Sequence, residues 1–229
     1  MTLVLLPPSE GKTDGTRRKR LDVGALSYPE LGPAREQVLD ALAALATGPV
    51  TKARTVLGTT TGQDGEIERD MRLRTAPTGP AREIYTGVLF DAIGFGSLSQ
   101  RALSRLDTHA LVASALFGVV ALSDPIPAYR LSAGTVLPKV GSVNRLWAPR
   151  ITGLIAAHPG LVIDLRSGSY VSMGPLPADC RAVVPRVLQR VPKGPPKVVT
   201  HSNKATKGRI VRAIATAPAS WPPPINWRS

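Results

Sequence analysis

Four short apolar runs, each cut off by a turn signal, constrain this chain more than any other feature of it. Leu3–Leu6 stops at Pro7-Pro8, Leu111–Ala115 and Gly118–Leu122 are separated by two residues, and Leu161–Leu165 runs into Arg166-Ser167-Gly168. Apolar runs this short, bounded by Pro and Gly, read as buried strands rather than helices. Further short strands are expected at Ser169–Met173, joined to Leu161–Leu165 through Arg166-Ser167-Gly168, and at Arg181–Val184 and Lys197–Thr200. Between the runs lie helical patterns. Pro33–Thr47 has Pro near its start, Val38, Leu42 and Leu45 on one face, and Gly48-Pro49 as its stop. Pro80–Ala92 reads as a second helix with Ile84, Val88, Leu89 and Ala92 on its apolar face, followed by Ser97–Leu106. Lys204–Ala217 is a basic helix with Ile210, Ile214 and Ala217 expected inside. Thr13–Arg20 and Gly58–Asp70 read as loops. The interleaving places the chain in a mixed α/β class, as one domain over 1–229 with a Pro-rich extension at 218–229. No βαβ repeat is regular enough to promise a doubly wound sheet.

Charge narrows the partners. The chain of 229 residues carries 29 Lys and Arg against 16 Asp and Glu, a net charge of +13. From Arg181 to Ser229 there are ten basic residues and no acidic one. A block of one sign repels itself unless an anion offsets it, so nucleic acid or a small phosphorylated molecule is the expected partner. Aromatic residues are only 4%, too few for a single-strand binder built on stacking platforms. The single cysteine, Cys180, excludes an intrachain disulfide, which fits a reducing compartment. The first apolar run is too short for a signal-peptide core, and no segment approaches a membrane span, so a cytoplasmic location away from membranes is expected.

Five segments could carry chemistry. Pro7-Pro8-Ser9-Glu10-Gly11-Lys12-Thr13 follows a strand and matches the end of a phosphate loop, but Leu6 stands where its first Gly belongs. Ser9 and Lys12 are candidate anion contacts from this loop. Ile93-Gly94-Phe95-Gly96 lies between two helical patterns in the layout of a helix-hairpin-helix, whose glycines let backbone approach a DNA phosphate. Asp124-Pro125-Ile126-Pro127-Ala128-Tyr129-Arg130 would project Asp124, Tyr129 and Arg130 from stiff backbone. Asp164-Leu165-Arg166-Ser167-Gly168-Ser169-Tyr170 sets Asp164, Arg166 and Ser167 around a glycine. In Asn203-Lys204-Ala205-Thr206-Lys207-Gly208-Arg209 a strand gives way to a helix with Asn203 as N-cap. Lys204, Lys207 and Arg209 near a helix start oppose its dipole, a cost that a bound anion would reverse. No zinc spacing, Ser-His-Asp trio or dinucleotide fingerprint is present, so no metal, no cofactor and no catalytic residue is assigned.

In this order the segments, together with Tyr85-Thr86-Gly87-Val88-Leu89-Phe90-Asp91-Ala92, Ser114-Ala115-Leu116-Phe117-Gly118 and Leu146-Trp147, resemble the YaaA (peroxide stress protein) family across nearly the whole chain. Phe90 and Phe117 depart from the Tyr or Trp that the resemblance leads one to expect. The resemblance implies an α/β fold in which helices surround a barrel-like sheet. It also implies DNA binding through a positive cleft and a helix-hairpin-helix, and a role in surviving hydrogen peroxide by limiting free intracellular iron.

Two functions follow. The first is a DNA binder of low sequence specificity, using Ser9, Lys12, Gly94, Gly96, Arg130, Arg166, Lys204, Lys207 and Arg209. The second is an enzyme acting on a small anionic, nucleotide- or nucleobase-like substrate. Tyr85, Asp124, Tyr129, Asp164 and Ser167 are its further pocket candidates, being more varied than phosphate contacts require.

Overall fold

A computed structural model describes residues 2–17, 19–189, 197–198 and 203–218. Its centre is a five-stranded sheet. The strands are β1 (Thr2–Leu6), β2 (Ala110–Ser114), β3 (Gly118–Ala121), β4 (Leu161–Asp164) and β5 (Ala182–Val183). Their spatial order is β3-β2-β1-β4-β5. β1 pairs parallel with β2 (Leu5 opposite Leu111) and with β4 (Leu3 opposite Val162), and β4 pairs parallel with β5. β3 returns antiparallel along β2 as a hairpin. Every residue of β1 to β4 is buried, so both faces of the sheet are covered, as continuous apolar runs require.

Among the described residues the sheet is open: β3 and β5 are its edges, and no pairing closes it into the barrel that the resemblance implied. The short β5 and the antiparallel turn-back of β3 end the sheet on both sides.

The helices are α1 (Gly32–Ala46), α2 (Val50–Leu57), α3 (Asp64–Met71), α4 (Ala81–Ile84), α5 (Val88–Ile93), α6 (Gln100–His109), α7 (Val143–Ala156), α8 (Ser169–Ser172) and α9 (Asn203–Thr216). On α1, Val38, Leu42 and Leu45 are buried, as their spacing predicts.

Three local expectations change. The helix expected over Pro80–Ala92 is split into α4 and α5. Tyr85 is extended and Gly87 has φ +94, a conformation that glycine alone takes without strain. Gly58–Asp70, expected as a loop, carries α3. Ser169–Met173, expected as a strand, starts with the one-turn helix α8. Both edges of β4 are already taken, by β1 and β5, so a hairpin partner has nowhere to pair.

On α9 Ile214 is buried as expected and Ile210 packs half-buried against the core, while Lys207, Gly208, Val211 and Ala215 complete the buried stripe and Ala217 does not join it. Gly208 sets that face. A Cβ there would stand 2.3 Å from the Leu89 carbonyl oxygen, so the missing side chain is what lets α9 lie against α5. The extension over 218–229 lies, except for Pro218, outside the described residues, as do Val199, Thr200 and His201. No helix among the described residues is long and apolar enough to cross a membrane.

Candidate functional site

The parallel strands run in the chain order β1, β2, β4, β5 but lie in the spatial order β2-β1-β4-β5. The chain therefore leaves β1 toward one side and later returns to its other side. In open α/β sheets, ligands sit outside the carboxyl ends of the strands at such a reversal. Here it falls between β1 and β4, and a cleft of about 470 Å³ opens there. One wall is Pro7–Gly11 after β1, and the facing wall is Ser167–Tyr170 after β4. Thr86–Phe90 at the head of α5 and Lys204 at the head of α9 complete it. Pro7, Pro8, Val88 and Leu89 make part of the lining apolar. Ser9, Thr86, Ser167, Ser169 and Tyr170 bring hydroxyls, and Glu10 and Lys204 bring charge.

The walls are held from within. Ser9 Oγ donates to the Gly11 carbonyl at 2.5 Å and accepts the Thr86 N–H at 3.1 Å, tying the β1 loop to the break between α4 and α5. Lys12 does not reach into the cleft. It is 9% exposed, and its Nζ turns back to donate to the Ser9 and Glu10 carbonyls at 3.0 and 3.2 Å. It lies 4.3 Å from the centroid of the Tyr129 ring. Burial pulls its pKa down from 10.5 to about 8, helped by the like charge of Arg130 and opposed by Glu66, Asp70 and Glu10.

Beside Lys12 runs a hydroxyl chain: Tyr85 Oη and Tyr129 Oη are 2.8 Å apart, as are Tyr129 Oη and Ser114 Oγ, which in turn accepts the Phe117 N–H at 3.0 Å. Burial pushes both phenols well above their usual pKa, so both stay protonated. Asp70 on α3 accepts the Arg130 N–H through Oδ1 at 2.8 Å, while its buried Oδ2 has no partner among the described residues. Desolvation raises its pKa well above the carboxylate range. Arg130 reaches Glu10 at 3.8 Å, a weak contact because Glu10 is largely exposed.

A second buried group underlies the opposite wall. Arg166 and Asp164 form a two-pronged ion pair at 2.9 and 2.8 Å, and Arg166 also donates to the Gly174 carbonyl. Lys207 Nζ donates to the Leu165 and Arg166 carbonyls at 2.8 and 3.2 Å, pinning α9 to the end of β4. Burial lowers the pKa of Lys207, and Asp164 partly offsets that.

The predicted residues thus fall into groups. Ser9, Ser167 and Lys204 line the cleft. Lys12, Tyr85, Tyr129 and Arg130 gather behind its first wall, and Asp164, Arg166 and Lys207 behind its second. Four predicted positions, Asp124, Gly94, Gly96 and Arg209, lie elsewhere. Asp124 accepts from Ser27 and from the Ala121 N–H, which closes the turn after β3. Gly94, with φ +65, ends α5, and Gly96 sits in the turn before α6. Arg212 of α9 donates to the Ile93 and Gly94 carbonyls and to Ser97 Oγ, so the inner side of that turn faces α9. Arg209 is exposed on α9.

Sequence reasoning missed Asp70, Ser114, Thr86 and Tyr170 as site-forming residues. For Asp70 the sequence carries a signal: it lies three residues after the apolar Ile67, an acid on the inward face of a helix.

A family model described as peroxide stress protein YaaA matches residues 2–223. A UPF0246 protein of Streptomyces coelicolor is 45% identical over 223 residues, covering 94% of this chain and 85% of that protein. A UPF0246 protein of Corynebacterium efficiens is 43% identical over 220 residues, covering 94% and 86%. One from Corynebacterium glutamicum is 42% identical over 217 residues, covering 93% and 84%. With the match spanning nearly all of the sheet, both walls of the cleft and α9, the chain belongs to the peroxide stress protein YaaA family.

Proposed function

We propose that this protein serves the peroxide stress response by binding a small anionic, nucleotide- or nucleobase-like ligand in the cleft between β1 and β4. The carrying observation is the place and make-up of the cleft. It lies at the strand-order reversal, is walled by both loops that leave the central parallel strands, and combines apolar walls with hydroxyls and one exposed ammonium. The apolar lining of Pro7, Pro8, Val88 and Leu89 suits a ring, the hydroxyls suit a polar edge, and Lys204 suits a phosphate. A reaction on the ligand is part of this proposal, with Ser9, Ser167 and Lys204 as polar groups that line the cleft. The test is calorimetry with nucleoside monophosphates, nucleosides and free bases. Binding at or below millimolar concentration that weakens in Lys204→Ala is expected. Absence of binding across the panel refutes the reading.

A second reading, low-specificity DNA binding, is favoured by a different observation. Lys204 and Arg209 are exposed on a helix whose surrounding sequence, Arg181 to Ser229, has no acidic residue. Gly94 and Gly96, at the turn between α5 and α6, would supply backbone contacts. Titration of labelled duplex DNA across salt decides it. Affinity that falls about 10³-fold or more between 50 and 200 mM salt, and drops in Lys204→Ala/Arg209→Ala, supports it. A role in limiting free iron is proposed as a consequence of either interaction, to be read as chelatable iron in peroxide-stressed cells lacking the protein.

A further inference from the structure

Behind the Ser9–Gly11 wall lies a cation that the fold does not neutralise at close range. Lys12 Nζ has two backbone carbonyls and two aromatic faces around it, Tyr129 at 4.3 Å and Tyr85 at 5.5 Å. Among the described residues no carboxylate comes within 4.0 Å of it. The charged and titratable groups that face it are Arg130 from the segment after β3, Glu66 and Asp70 from α3, Glu10 from its own loop, and the phenols of Tyr85 and Tyr129. Arg130 repels it. Asp70 is itself biased toward its neutral form by burial, and Glu10 is mostly in water. Desolvation therefore wins, and the ammonium is held at a pKa of about 8. An anion seated in the cleft would supply the missing compensation.

We propose that Lys12 is a positioning residue that gives the cleft its preference for anions: a ligand resting on the Ser9–Gly11 wall draws on the ammonium behind that wall, and its binding is linked to proton uptake by Lys12. This rests on the cleft reading above. Lys12 does not touch the ligand. It acts through the two peptide groups whose carbonyls it holds and through its field. One peptide group separates Nζ from the cleft side of the loop, a span of about 6 Å. An anion in contact with that side stands about 3 Å further off, and at about 9 Å and an effective dielectric of about 20, two unit charges attract enough to change affinity about 20-fold. The linkage has a definite sign. Below the pKa of the free protein the ammonium is already present and affinity is flat. Above it, binding takes up a proton and affinity falls with pH, by no more than that coupling factor in total.

Two measurements decide the matter. The first is a carbon-13 NMR titration of lysine side chains in the ligand-free protein. One resonance, absent from Lys12→Met, is expected to titrate near 8. The second is calorimetry of a nucleoside 5′-monophosphate and its parent nucleoside between about pH 7 and pH 9, in buffers of different ionisation enthalpy. Nucleotide binding is expected to weaken with pH and to take up a proton, and nucleoside binding to do neither. Lys12→Met is expected to lose much of the preference for the nucleotide, the rest resting on Lys204, while Lys12→Arg keeps it without the pH dependence. A Lys12 that titrates at the ordinary lysine value overturns the inference whatever binds. Nucleotide binding that ignores both pH and Lys12→Met overturns it and leaves the cleft reading intact. If neither compound binds the wild type, the cleft reading falls and the inference falls with it.

Discussion

Replacing Lys207 with Met tests whether the basic head of α9 is built for ligands or for the fold. Lys207 is 6% exposed, and its ammonium donates to the Leu165 and Arg166 carbonyls at 2.8 and 3.2 Å. Met retains most of the apolar stem and deletes both bonds. A hydrogen bond from a charged donor contributes about 1.5–3 kcal/mol, and a carbonyl left unpaired in a buried site costs about 1–3 kcal/mol. Against this stands relief of the desolvated ammonium, whose pKa burial has lowered. The expected net loss is about 2–3 kcal/mol. For a chain of this size that corresponds to a fall in Tm of roughly 4–12 °C. Lys204, exposed one turn earlier on the same helix, is the control, and Lys204→Met is expected to stay within about 0.5 kcal/mol of wild type. Urea unfolding followed by circular dichroism reads both variants, with a lowered midpoint at unchanged slope as the mark of lost native stability. If Lys207→Met is as stable as Lys204→Met, the ammonium is not a clamp on β4 and the reasoning from its burial fails.

Three further outcomes are expected. Gly208→Ala drives a methyl to 2.3 Å from the Leu89 carbonyl oxygen and 2.7 Å from Ala92 Cβ; it should cost about 1–3 kcal/mol of stability, although Ala is the better helix former, and thermal unfolding checks it. Trp147→Phe removes the 2.8 Å bond from the indole N–H to the buried Ala115 carbonyl and should lower stability by about 1–3 kcal/mol in the same assay. Because the folded-state pKa of Lys12 lies below its unfolded value of 10.5, the unfolded chain binds more protons between about 8 and 10.5, and wild-type stability should gain from this group as pH rises through that window. Lys12→Met should lack this gain, as stability curves taken across that pH range will reveal.

The sequence by itself determined the covalently local features. The runs Leu3–Leu6, Leu111–Ala115, Gly118–Leu122 and Leu161–Leu165 are strands because apolar residues that continuous can only be buried. The 3.6-residue spacing of Val38, Leu42 and Leu45 set the inner face of α1. The ordered motifs were enough to mark the family. What the tertiary structure decided is where these pieces meet. Strand order, and with it the reversal between β1 and β4 that opens the cleft, follows from which edges remain free once neighbours have paired. The helix expected across Pro80–Ala92 broke because Tyr85 turns inward to join Tyr129, which lies 44 residues on. Lys207 looked like a phosphate contact because its solvation depends on the Leu165 and Arg166 carbonyls, 42 and 41 residues away. Periodicity reports only the hydrophobicity of near neighbours. Whether a lysine is a surface charge or a buried clamp depends on acceptors that only the folded chain brings to it.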